Sequence, residues 1–150
     1  MTADPAEIDS RERYARRHLR FGWVQLLLFL LLGLALEAMH GFKVGWYLNA
    51  GQETRRLLLT LAHAHGVLLG LVNVAFGATL HVMPRFDLRA CRNGSPLLLA
   101  ASILMPVGFL LGGLVTYGGD PGVGIFLLAP GAALLALAVA IVAWATLKEQ

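Results

Sequence analysis

Four long apolar blocks joined by short polar connections predict an all-α, integral membrane four-helix bundle for this 150-residue chain. Composition agrees: hydrophobic residues make up 57%, charged residues 14%, and mean hydropathy is +0.68, too apolar for a soluble domain of this length. The blocks cover residues 21–42, 57–83, 96–118 and 123–147. Each exceeds the roughly 20 residues that a helix rising about 1.5 Å per residue needs to cross about 30 Å of hydrocarbon. A single four-span domain is therefore expected over residues 1–150, with little chain left for a separate soluble catalytic domain.

The N-terminal segment is polar and basic. Asp4, Pro5 and Asp9-Ser10 suit a frayed start, followed by a short amphipathic helix lying on the membrane surface with Tyr14, Phe21 and Trp23 near the headgroups. No small-residue cleavage pattern ends the first apolar run, so an uncleaved span is expected. Arg11, Arg13, Arg16, Arg17 and Arg20, then Arg85, Arg89 and Arg92 in the 84–95 connection, and Lys148 fall on one side of the predicted topology. Only Lys43, Arg55 and Arg56 fall on the other. The positive-inside rule then predicts both termini and the 84–95 connection on the cytoplasmic side of a bacterial-type inner membrane, with 43–56 and 119–122 outward. These arginines mark topology near lipid headgroups, and nucleic acid is not an expected partner. The expected partners are the bilayer and other membrane subunits or further copies of the chain.

The connections carry their own signals. Trp46-Tyr47 reads as interfacial, and Asn49-Ala50-Gly51 as a turn before the second span. Met83-Pro84 closes that span, and Asn93-Gly94-Ser95-Pro96 predicts a turn into the third. Gly118 to Gly122 joins spans three and four as a tight antiparallel hairpin. Pro106 and Pro130 lie inside those spans, where a missing amide donor permits a kink if neighbouring helices resolve the freed carbonyls. Gly108, Gly112 and Gly113 favour close helix contact, and for a structural or assembly subunit changes on the Gly108/Gly112 face are expected to disturb oligomerisation. The single cysteine, Cys91, has no partner for a disulfide and no metal-ligand companion in sequence.

Spans one and two are where chemistry is expected, because Gln25, Glu37, His40, His63, His65, Asn73 and His81 interrupt or border their apolar runs. At about 100° per residue, Gly22, Gly33, Glu37 and His40 share one strip of span one. His63 and His81 share a strip of span two flanked by Gly66, Gly70 and Gly77, while His65 points nearly opposite to His63. Both strips should face the bundle interior. Glu37, His40 and His63 fall at matching depth near the outer face; His81 lies about 27 Å further along its helix, with His18 as its expected neighbour. Gln25 and Asn73 also read as interhelical polar contacts.

Two chemistries fit that pattern. Glu37, His40 and His63, with His65 if the helix is distorted there, would supply ligands to a single copper, zinc or iron ion. A b-type haem would instead take His40 opposite His63 or His65 as axial ligands, with Gly33, Gly66 and Gly70 admitting the macrocycle. The absence of a CxxCH motif makes any haem non-covalent.

The run from His63-Ala64-His65-Gly66 to Val82-Met83-Pro84-Arg85, and on through a polar turn into a leucine-rich span, resembles helices two and three of the haem-copper oxidase and nitric oxide reductase catalytic subunits. The resemblance covers roughly 50 of the 150 residues. It implies that His65, followed by Gly66, takes the position of a low-spin haem ligand. With four spans, it further implies a reduced relative or an accessory subunit rather than a complete oxidase. Motif and periodicity differ on whether His65 or His63 faces inward, and one of the two is expected to be a supporting or loop-facing residue.

The expected function is thus a haem- or transition-metal-binding protein linked to electron transfer or oxidase-type chemistry, inside a larger membrane complex. The alternative is a non-catalytic structural or assembly subunit whose histidines hydrogen-bond between helices. A third reading, a small transporter or proton-conducting bundle using Glu37 and the histidines as a relay, is opposed as a continuous proton wire by the long apolar stretch between His63 and His81, interrupted only by Asn73.

Overall fold

The computed structural model describes residues 5–83 and 86–148 and is all-α. Its helices are α1 (Pro5–Gly41), α2 (Gly45–Leu48), α3 (Glu53–Val82), α4 (Leu88–Leu114) and α5 (Leu128–Leu147). The segments Ala6–Gly41, Glu53–Val82, Leu88–Leu114 and Val123–Leu147 are long and apolar enough to cross a membrane. Asp4, Pro84 and Arg85, which figure in the expected start, second-span end and charge asymmetry, lie outside the described residues. α1 packs along α3, α3 along α4 and α4 along α5, so α3 and α4 form the centre and α1 and α5 the flanks.

Glycine sets the closest of these contacts. A Cβ at Gly22 would stand 2.7 Å from the Gly70 carbonyl oxygen, and one at Gly77 would stand 3.0 Å from the Ala15 carbonyl oxygen. The two backbones therefore touch, as small-residue stripes allow. The expected inward glycine strips are present, but what they receive is backbone and side chain from the neighbouring helix. Gly66 takes the Phe29 ring and Gly33 takes the His63 ring.

Three boundaries differ from expectation. α1 is one continuous helix of 37 residues, not a surface helix followed by a span. No glycine or proline interrupts it between Ala6 and Phe21, and the packing of Ala15 and buried His18 on the bundle carries the basic segment along the same axis. α4 begins at Leu88, where the Asp87 side chain accepts from the Arg89 amide at 2.8 Å, and it runs through Asn93-Gly94-Ser95-Pro96 without a turn. Local turn chemistry is overridden there by tertiary contact. Gly94 lies against Ile141 and Val142 of α5, and Ser95 is fully buried. The fourth span opens as a 3₁₀ segment, Val123–Leu127, so that Pro130 falls in the first turn of α5, where its missing amide costs no helical bond.

The α4–α5 hairpin follows its glycines. Tyr117 and Asp120 exchange backbone hydrogen bonds of 3.0 and 2.9 Å around Gly118 and Gly119, whose φ values of 58° and 97° are ones that residues with a Cβ rarely adopt. Gly108 and Gly112 sit under the 3₁₀ segment, 3.0 Å from the Gly124 carbonyl and 3.6 Å from the Ile125 amide when a Cβ is added. They are packed against their own chain, as close helix contact requires. At the same end, α2 buries Tyr47 against Leu36 and Leu59. Buried Arg55 donates to the Trp46 carbonyl at 3.0 Å and to Thr116 Oγ1 at 3.2 Å, tying together the two connections.

Candidate functional site

The most enclosed polar groups are not the ones foremost in the sequence. His18, Asn73 and Ser95 are completely buried, and Ser102 and Gln25 nearly so. His18 Nδ1 lies 2.7 Å from Asn73 Oδ1, which can only accept, so the ring donates from Nδ1. Its Nε2 is then left to accept from the Ser95 hydroxyl, also at 2.7 Å. Asn73 Nδ2 donates to the Leu69 carbonyl at 2.8 Å and to Ser102 Oγ at 2.7 Å. Gln25 Nε2 donates to the Ser102 carbonyl at 3.0 Å.

That last bond has a sequence cause. Pro106 stands four residues after Ser102 and has no amide to give its carbonyl, so α4 carries an orphan acceptor inside the bundle. Gln25 from α1 supplies the donor, resolving the proline as expected. The network thus joins α1, α3 and α4 with neutral groups, and both ring nitrogens of His18 are engaged. Gln25 and Asn73 are interhelical contacts, as their sequence setting suggested. His18 is the member that sequence reasoning missed, having been paired with His81. Instead His81 is exposed at the end of α3. The available signal was that His18 and Gln25 are seven residues apart, two turns of one helix face that also carries Gly22.

The predicted site residues lie toward the other end and are spread over several surfaces. His63 is half-buried, its Nδ1 donating to the Phe29 carbonyl of α1 at 2.7 Å. His65 is also half-buried; its Nδ1 donates to the Leu61 carbonyl of its own helix at 2.9 Å, and its ring lies 4.6 Å from that of Phe109 on α4. Both histidines therefore sit in regular helix between neighbours, one toward α1 and the other toward α4, and neither is in a loop. Glu37 and His40 are exposed. Glu37 lines a groove of about 470 Å³ with Gly33, Leu34, Thr60 and His63. His40 lines a second, of about 690 Å³, with Tyr47, Glu53, Arg56 and Thr60. Thr60 borders both, so the two grooves follow one another along the α1–α3 seam.

This arrangement does not fit a haem held between α1 and α3. The Phe29 ring covers Gly66, the His63 ring covers Gly33, and Gly70 is in contact with Gly22 and Leu26, so the faces that would admit a macrocycle are filled. His65 turns to α4, away from His40. Among the described residues no three histidine, cysteine, aspartate or glutamate side chains gather closely enough to hold a metal ion. Two of the predicted ligands nevertheless share a useful chemistry. With Nδ1–H bound to a backbone carbonyl, His63 and His65 each present Nε2 as a lone pair, the form in which imidazole ligates metals.

No protein-family model, curated protein or solved structure matches this chain. The resemblance carried by His65-Gly66 and the residues after it therefore rests on the motif itself.

Proposed function

We propose that this chain is a non-catalytic subunit of a larger membrane complex, lodged in a bacterial-type inner membrane with both termini cytoplasmic. The observation that carries this reading is the division of its polar groups. Those around His18, inside the helix packing, form a buried neutral network in which only Gln25 Oε1 lacks a partner, which suits a structural pin. Glu37 and His63 instead open sideways onto a groove along the α1–α3 seam. A carboxylate and an imidazole on a lateral face are costly against hydrocarbon. A neighbouring subunit covering that groove removes the cost and uses their hydrogen-bonding capacity. The arginines at one end, with few basic residues at the other, support the orientation.

Photocrosslinking in native membranes tests the reading. A crosslinker at Leu34, which lines the groove, should capture a second membrane protein, whereas one at exposed Leu137 on α5 should capture far less. Equal capture at both positions, or none at Leu34, would reject the docking face.

A second reading, electron transfer or oxidase-type chemistry at a transition metal, is favoured by one specific observation: the Nε2 lone pair of His63 in a groove shared with Glu37. Because the chain gathers too few ligands alone, the remaining ones would come from the partner. Metal analysis and a visible spectrum of the intact complex, with and without His63→Ala, decide between the two. Stoichiometric metal lost in the variant favours the second reading, and metal content unchanged by the substitution rejects it.

A further inference from the structure

At the basic end, where α1 passes the first turns of α4, a cleft of about 470 Å³ is lined by Ser10, Arg13, Tyr14 and Arg17 from α1 and by Arg89 and Arg92 from α4. Four guanidinium groups thus border one cavity. The α1 residues follow the i, i+3, i+4, i+7 rule of a single helix face, and Arg89 and Arg92 are one turn apart on α4, so the two helices turn their basic faces toward each other.

Charge compensation inside the protein is slight. Asp9 pairs with Arg13, which also donates to Ser10 Oγ at 2.9 Å. Among the described residues no carboxylate pairs with Arg17, Arg89 or Arg92. The nearby Asp87 already caps the Arg89 amide. Three of the four guanidinium groups have no carboxylate pair among the described residues, and like charges so gathered repel. An anion would supply the missing counter-charge.

We propose that this cleft binds the phosphate of an anionic glycerophospholipid. Its position favours a lipid over a soluble anion. The apolar parts of α1 and α4 begin immediately beyond Arg20 and Asn93, which puts the cleft at headgroup depth, where basic pockets between helices take up anionic lipids. A zwitterionic lipid would bring an ammonium group into a cavity whose described lining has four arginines, one of them paired with Asp9, and no carboxylate of its own. Four guanidinium groups also match the two phosphates of diphosphatidylglycerol. This inference rests on the chain being an integral membrane protein.

Reconstitution into zwitterionic nanodiscs comes first, and failure to incorporate would reject the membrane reading rather than the lipid site. For protein that incorporates, native mass spectrometry after titration with phosphatidylglycerol, diphosphatidylglycerol or phosphatidylethanolamine reads the site. Retention of one or two anionic lipids per chain is expected, over an ethanolamine background. R17Q/R92Q should weaken retention about tenfold or more, whereas R16Q/R56Q, of equal charge but outside the cleft, should stay within about twofold of the parent. Should R17Q/R92Q fail to fold, R17K/R92K keeps the charge, loses the bidentate fork, and should still show a preference intermediate between parent and background. Equal loss in the cleft and control variants, no preference for anionic lipid, or equal protection by millimolar inorganic phosphate overturns the proposal.

Discussion

The two histidine regions of this protein obey different rules. Around His18, four buried side chains from three helices, His18, Asn73, Ser95 and Ser102, hydrogen-bond to one another, and Gln25 joins them through the Ser102 carbonyl while its Oε1 stays unpartnered. Around His63 and His65, each ring uses one nitrogen on a backbone carbonyl and keeps the other as a lone pair beside less tightly closed surface. Both regions contain a histidine on an otherwise apolar helix, so residue type alone does not separate a structural pin from a group available to a partner. The number of satisfied nitrogens and the depth of burial do.

The contrast is most exposed to test at His18. His18→Ala removes a fully buried ring and strands Ser95 and Asn73 Oδ1, which should cost about 3 kcal/mol or more of unfolding free energy. Denaturant titration in mild detergent measures it, and a loss below about 1 kcal/mol would mean that the network does not pin the helices. Gly66→Ala comes next. Its methyl group would run into the Phe29 ring, with an expected cost of about 1–3 kcal/mol. Phe29→Ala in the same chain should relieve that strain, and a double-mutant cycle reports the coupling.

A smaller effect belongs to Gln25→Leu, about 1 kcal/mol, because the Ser102 carbonyl loses its donor. In a Pro106→Ala background α4 can supply its own amide, and the cost of Gln25→Leu should fall toward zero. An unchanged cost would separate Gln25 from the proline. The smallest change is expected for His65→Ala, about 0.5 kcal/mol, since its hydrogen bond is local to α3 and its ring contact with Phe109 is at a half-buried position. A loss as large as that of His18→Ala would erase the distinction between the regions.

Much of this was legible before any tertiary contact was known. Four apolar blocks predicted four helices of spanning length, and helical periodicity put Gly22, Gly33, Gly66, Gly70 and Gly77 on helix faces that do meet. Pro106 announced an orphan carbonyl, although its donor, seventy-seven residues away in sequence, was not identified. The turn expected at Asn93-Gly94-Ser95-Pro96 was locally sound and failed because Ser95 is needed inside, on His18 Nε2. His63 and His65 could not be ranked by periodicity or motif because α3 has neighbours on both sides, α1 toward one histidine and α4 toward the other.

Hydropathy and charge along the chain specified that four helices are of spanning length, the charge difference between their ends and the few positions where polar groups enter apolar sequence. Those follow from hydropathy, periodicity and backbone chemistry, which act over a few turns. Helix packing set which polar groups are used up within the chain and which remain open. That outcome depends on donors and acceptors meeting across three helices, and on ring-filled glycine faces that leave no slot between α1 and α3.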